Sequence, residues 1–275
     1  MLKHGLAAFA VAGMGGMLVA GATPLGAQAV AKRTDPAITA AIAAPQRSAA
    51  NRARDKYRHP AQTLAFFGVT PGQTVVEFQP SGGWYTEILA PLLSARGHYV
   101  GLAGSSPKAQ DGLAKLIAGG GTRYKGATAA ALDAEAGTST VPDGSVDTVL
   151  TFRNVHNLIM QGGQAAPNAF KAFYRMLKPG GTLGVVDHRL PETMDSAAEM
   201  KSGYLKRSTI VKLAQDAGFT LAGESQINAN PRDTHDWEGG VWTLPPSLQQ
   251  GDKDRAKYVA IGESDRMTLR FTKAK

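Results

Sequence analysis

Thr74-Val-Val-Glu-Phe-Gln-Pro-Ser-Gly-Gly-Trp84 decides the fold. Thr74 to Phe78 is dominated by β-branched and aromatic side chains and reads as a buried strand. Gln79-Pro-Ser-Gly-Gly83 breaks it, and a helix is expected from Tyr85 to about Ser94. Working outward, His98 to Leu102 reads as a second strand and Ser106 to Ala118 as a second helix. Thr122 to Tyr124 is expected as a third, weaker strand. The turn Pro142-Asp-Gly-Ser145 introduces a fourth strand, Val146 to Phe152. Phe170, Phe173, Tyr174 and Leu177 lie at helical spacing in Ala165 to Leu177. Lys178-Pro-Gly-Gly181 ends that helix, and Thr182 to Asp187 is a fifth strand. A helix from Ser208 to Ala217 stops at Gly218, and Phe219 to Ile227 follows as a sixth strand. Lys253 to Ile261 is expected to be helical, and Met267 to Thr272 alternates as a last strand. Strands alternating with helices mean an α/β, doubly wound, mostly parallel sheet covered on both faces. Ligands of such sheets sit beyond the carboxyl ends of the strands, so the loops after Phe78, Leu102, Phe152 and Val186 hold the interest.

Composition narrows the chemistry. The 275 residues include no cysteine, which excludes thiol nucleophiles, Cys-ligated zinc and disulfide scaffolds. The formal charge of +8 is scattered, with no basic stripe, so no nucleic-acid partner is expected. Lys3 and His4 precede an uncharged, mostly apolar run from Leu6 to Ala22, and Ala27-Gln28-Ala29 is a small-x-small pattern. This is the layout of a secretory signal peptide over residues 1–29, cleaved after Ala29. As an uncleaved anchor the run spans only about 26 Å, short of a hydrocarbon core of roughly 30 Å. An exported, periplasmic chain without stable membrane insertion is the expectation. Residues 30–67 then form an N-terminal helical cap. In it Asp35-Pro36 starts a helix, Pro60 starts another that Gly68 stops, and Arg54-Asp-Lys-Tyr-Arg-His59 either folds over the ligand mouth or is a solvated charged linker.

Several segments, in order, resemble class I S-adenosylmethionine-dependent methyltransferases. Val75 to Trp84 resembles their first motif, and Leu132-Asp-Ala-Glu135 with Pro142 to Val149 their acidic loop and fourth strand. Asn154-Val-His156 sits at the post-strand motif, Arg175 to Leu183 is similar to the entry of the fifth strand, and Leu213 to Phe219 to the approach of the sixth. The resemblance covers about Val69 to Ile227. It implies a Rossmann-like, seven-stranded sheet with an antiparallel last strand, over residues 68–275 with an insertion at about 228–266. It also implies S-adenosylmethionine as cofactor and methyl transfer to a small-molecule acceptor. By the same resemblance, Glu77 lies near the cofactor's amino group, and backbone at Gln79, Ser81, Gly82 and Gly83 lines its methionine part. Asp133 accepts from the adenine amino group unless it is only a helix cap, and the chain at Phe152 and Arg153 meets the amino acid end.

This chain departs from the family pattern in two places. Gln79 and Ser81 stand where the motif has glycines, and no acid follows the second strand to bind the ribose hydroxyls, since Leu102 leads into Ala103-Gly-Ser-Ser106. Polar clusters mark a second ligand: Arg153-Asn-Val-His156, Asp187-His-Arg189 and Asn230 to Asp236 hold three of the six histidines. His156 or Asp187 is the candidate catalytic base, with His188 and His235 on the acceptor side. Asp187 paired with Arg153 or Arg189 as a loop clamp is the structural alternative. A metal held by His156, His188 and His235 is conceivable, but no compact ligand spacing is present, and no metal is expected. Trp84 reads as packing at the helix start rather than as a cofactor stacker. Trp237, Trp242 and Pro245-Pro246 would pin the insertion to the body of the protein. The competing functions are an exported scaffold that keeps the fold without catalysis, and a nicotinamide oxidoreductase, which lacks the required glycine spacing.

Overall fold

The computed structural model describes residues 1–2 and 34–275, so the segment expected to be a leader lies outside the described residues. From residue 34 onward the chain lies within one compact unit spanning Ala31–Lys275. Four short helices come first: α1 (Pro36–Ala43), α2 (Ala49–Arg52), α3 (Asp55–Arg58) and α4 (Pro60–Phe67). Asp35 accepts from the Ala37 N–H at 2.8 Å and Pro36 occupies the first helical position, which fixes where α1 begins. The charged stretch around Arg54 is therefore helical.

The sheet follows: β1 (Thr74–Phe78), α5 (Thr86–Leu93), β2 (His98–Gly104), α6 (Pro107–Gly120), β3 (Thr128–Asp133), the short β4 (Thr138–Ser139) and β5 (Val146–Phe152). Next come α7 (Val155–Gln161), α8 (Ala165–Met176), β6 (Leu177–Leu190), the short β7 (Leu205–Lys206), α9 (Arg207–Asp216), β8 (Thr220–Ser225), α10 (Arg255–Ile261) and β9 (Arg266–Thr272). The main strand order is β4-β3-β2-β1-β5-β6-β9-β8. β1, β2, β3, β5 and β6 pair in parallel, and β9 runs antiparallel between β6 and β8. The order reverses between β1 and β5, and that crevice is where a ligand settles.

Three expectations are corrected. Thr122–Tyr124 lies in a 3₁₀ turn over Gly121–Tyr124, and the third strand is Thr128–Asp133. A Cβ on Gly120 would sit 1.9 Å from the Tyr124 ring, so Tyr124 folds back over the glycine instead of extending. Lys178–Gly181 does not separate helix from strand: β6 already starts at Leu177 opposite Val146, and the register jumps to Thr148↔Thr182 across a bulge. Third, the post-strand motif enters α7, a helix absent from the sequence reading.

Two buried layers hold the sheet. One places Val76, Phe78, Val149, Val185 and Leu269 against Phe170, Phe173 and Met176 of α8. The other sets Val75, Leu150 and Val186 against Leu64 and Phe67 of α4 and Ile88 and Leu89 of α5. The N-terminal helices thus complete the second layer, and α4 lies so close that a Cβ on Gly184 would meet Phe67 Cγ at 2.7 Å.

Candidate active site

At the carboxyl end of β1 the backbone turns through Gln79 (φ 51), Ser81 (φ 52) and Gly83 (φ 75), all left-handed. Only glycine adopts this region freely, and two of the three residues here are not glycine. The loop thus takes a left-handed path at three positions with glycine at only one of them. Gln79 N–H is spent on Leu102 O at 2.7 Å and Gly83 N–H on Pro80 O at 2.9 Å, while the amides of Ser81 and Gly82 have no backbone acceptor among the described residues. A Cβ on Gly82 would meet nothing within 4 Å, so the loop backbone is open to an approaching ligand.

The first-strand acid behaves differently. Glu77 is buried and accepts from Tyr99 Oη at 2.7 Å and Thr86 Oγ1 at 2.9 Å. Burial raises its carboxyl to about 7, although both hydrogen bonds pull the other way. Its side chain therefore fastens α5 to β1 and β2. Trp84 packs as expected: its Nε1 donates to Asn51 O at 2.9 Å, with Arg47 and Arg58 over its ring at 5.2 and 4.7 Å.

Beyond β2, Ser106 caps α6 and the Gln110 amide donates to Gly104 O at 2.8 Å, leaving the Ser105 hydroxyl exposed. The Gln79 side chain reaches the same place, its Nε2 lying 3.7 Å from where a Gly104 Cβ would be. At the end of β3, Asp133 accepts from the Ala136 N–H at 2.9 Å inside the turn that leads to β4, so it closes a turn and caps no helix.

The β5 and β6 ends converge with β1. Arg153, also left-handed (φ 60), turns the chain into α7, and its N–H donates to Val186 O at 2.7 Å. Asn154 Nδ2 donates to Phe78 O at 3.1 Å, Gln79 O at 3.2 Å and Phe152 O at 3.1 Å, tying the ends of β1 and β5 together. The Phe152 ring stacks on Tyr85 at 3.6 Å in the core, so only its backbone is at the rim.

Asp187, fully buried, accepts from His156 Nδ1 at 2.8 Å through Oδ1 and from Val155 N–H at 2.7 Å through Oδ2. It pairs with neither Arg153 nor Arg189; Arg189 instead donates two hydrogen bonds to Asp265 in a bidentate ion pair, both contacts at 2.8 Å. His188 Nδ1 pairs with Ser264 Oγ at 2.5 Å, and its ring meets His156 edge-on at 5.1 Å. Burial, reinforced by His156 and Arg153, holds His188 well below the usual imidazole range, so it is neutral. A cavity of about 180 Å³ lies at this group, lined by Ser81, Arg153, Asn154, His156 and His188 and by Trp242 and Pro245–Ser247 from the stretch between β8 and α10.

His235 is held apart. Its ring lies 5.4 Å from Tyr204 and its Nε2 3.3 Å from Asp265, and it does not line the cavity. Burial lowers its pKa, but Asp265 and Asp233 more than offset this and raise it. Asp187 thus replaces it beside the other two histidines: ligand atoms of His156, Asp187 and His188 lie within 4.8 Å of one another. Both carboxylate oxygens of Asp187 accept hydrogen bonds, which fixes the carboxylate and orients the His156 ring. Asn154, Ser264 and Glu263 went unnoticed as site residues in the sequence. Asn154 belongs to the Arg153–His156 cluster, whereas Ser264 meets His188 across 76 residues and Glu263 meets Arg58 and Arg54 across 205 and 209, with only Arg266 near it in sequence.

Residues 78–185 match a family model described as a methyltransferase domain. The structure is similar to a SAM-dependent methyltransferase from Aquifex aeolicus, with a TM-score of 0.54 at 15% identity over 80% of this chain and 92% of that one. It is also similar to the [4+2]-cyclase SpnF, with a TM-score of 0.56 at 15% identity over 82% of this chain and 81% of that one. No curated protein matches the chain in sequence.

Proposed function

From the premise that this chain is a class I S-adenosylmethionine-dependent methyltransferase, we propose that it methylates a small molecule bound over His156. The observation that carries this reading is the buried Asp187–His156 pair at the floor of the cavity between the β1, β5 and β6 ends. With Nδ1–H given to Asp187, the remaining ring nitrogen of His156 is a proton acceptor.

The fit of the cofactor rests on the loop. The left-handed turn and the free amides of Ser81 and Gly82 suit the methionine part, and Phe152 and Arg153 supply backbone at its amino acid end. The end of β2 offers no carboxylate for a ribose; the Gln79 amide beside Gly104 and the exposed Ser105 hydroxyl would hold it instead. Asp133 has one oxygen committed to the turn after β3, and its other oxygen would meet the adenine amino group. When bound, the cofactor supplies an electrophilic methyl group. The chain aligns the acceptor, shields it beneath Trp242, and takes its proton on His156 as the methyl bond forms. The acceptor would lose a proton and gain the methyl group as that group's bond to the cofactor's sulfur breaks, leaving a neutral thioether, and the proton would reside on the imidazole that Asp187 steadies.

Export belongs to the same proposal, supported by the leader pattern in residues 1–29. The test is calorimetric titration of the purified chain with S-adenosylhomocysteine, followed by labelled methyl transfer to a panel of small acids, phenols and amines. Saturable binding and transfer are expected. A folded chain silent at millimolar ligand overturns the enzymatic reading in favour of a scaffold.

A further inference from the structure

Glu263, buried at the cavity wall, accepts from Arg54 Nε at 2.7 Å, Arg58 Nε at 3.2 Å and Arg266 Nη1 at 3.0 Å. A single carboxylate thus serves three guanidinium groups, and its oxygens are fully engaged by them. The cations are not fully served in return: Arg54 Nη2, Arg58 Nη2 and Arg266 Nε are buried without a hydrogen-bond partner. A fourth guanidinium, Arg153, lines the cavity beside them, and no side-chain bond or ion pair engages it among the described residues. Buried like charges are costly unless an anion joins them. The electrostatics agree: burial, then Arg153, lowers Arg58 well below the arginine range, and burial with Arg266 and Arg54 brings Arg153 down to about 10 despite Glu263.

We propose that the cavity is an anion site in which Arg153 grips a carboxylate or phosphate group of the methyl acceptor. The inference rests on the cavity being the acceptor site. Its volume of about 180 Å³ is below the roughly 300–1,000 Å³ of drug-sized ligand pockets, which suits a small acid. Ser81, Asn157 and Ser264 add neutral polar groups at the wall, and His156 stands on the same floor. Neutral His188 adds no charge, so the anion is selected by guanidinium rather than by a histidine that titrates. An anionic handle on Arg153 would present a neighbouring hydroxyl or amine of the same molecule to His156.

The test uses the full chain and two probes, inorganic phosphate and malonate, read by calorimetry and thermal shift with and without saturating S-adenosylhomocysteine. Saturable binding is expected in both conditions, weakened about ten- to a hundredfold in Arg153→Gln and retained in part in Arg153→Lys. Equal binding by Arg153→Gln, or no binding at tens of millimolar, overturns the proposal. Displacement of phosphate by S-adenosylhomocysteine also overturns it, because the charge then serves the cofactor's own carboxylate. Failure of S-adenosylhomocysteine to bind while phosphate still binds through Arg153 sinks the methyltransferase reading and leaves the anion site standing.

Discussion

Asp187 is spent entirely on its surroundings. It takes the His156 ring, the amides of Val155, His156 and His188, and nothing from solvent. Asp187→Asn keeps the shape but removes the charge that fixes the imidazole tautomer. We expect methyl transfer to fall about 10²-fold or more while S-adenosylhomocysteine affinity measured by calorimetry stays put. Glu77 poses the opposite case, a carboxyl kept neutral by burial. Its pKa rises from 4.5 unfolded to about 7 folded, so its contribution to stability is full below pH 4.5 and lost as pH rises through 7. Glu77→Gln should abolish that decline, which amounts to about 3 kcal/mol across the window, as read by urea melts at pH 5 and pH 8. A variant as pH-sensitive as the wild type would refute the assignment. Neither residue's neighbours could be read locally. Tyr99 reaches Glu77 from the next strand, and the His156–Asp187 contact spans 31 residues. The sequence pattern marked His156 and Asp187 as separate candidates, and only the parallel register of β5 and β6 makes them a pair.

Among elements, the strands with branched or aromatic residues, such as β1 and β5, announced themselves. β3 did not, because Thr128-Ala-Ala-Ala-Leu-Asp133 has little intrinsic strand preference and is extended by its pairing with β2. The bulge at Lys178–Gly181 was equally hidden: Pro and Gly announce a break but not whether the strand resumes its old partner. α7 is short and opens on a left-handed Arg153, so no periodicity betrayed it. Packing between α4 and β6 yields a sharper expectation. Gly184→Ala places a methyl 2.7 Å from Phe67 Cγ on α4 and 2.8 Å from Leu150 Cδ2 on β5, so both side chains must give way. The cost should be about 1–3 kcal/mol in a denaturant melt. Gly82→Ala, where nothing lies within 4 Å, should be close to neutral in the same melt.

On the scale of the molecule, the helices α2–α3 and the last strand meet at Glu263. Arg54 and Arg58 come from the N-terminal helices and Arg266 from the last strand, and this cationic company outweighs burial to lower the Glu263 carboxyl to about 2. A depressed carboxyl contributes stability above its unfolded pKa of about 4.5, and loses it as pH falls through 2. Glu263→Gln should therefore remove the acid-side fall in melting temperature between those limits. At neutral pH it should cost about 3–5 kcal/mol, since three guanidiniums lose their partner. An unchanged acid limb would argue against the cluster.

The knot at Glu263 also says something about where this protein can be cut. Residues 78–185 carry the recognisable motif, yet they include neither Glu263 nor any of the three arginines that clasp it. Trimming the chain back to that stretch discards one whole wall of the cavity. Trimming only the front sixty residues leaves an acid sealed indoors with a single escort, so the minimal working unit is much longer than its signature.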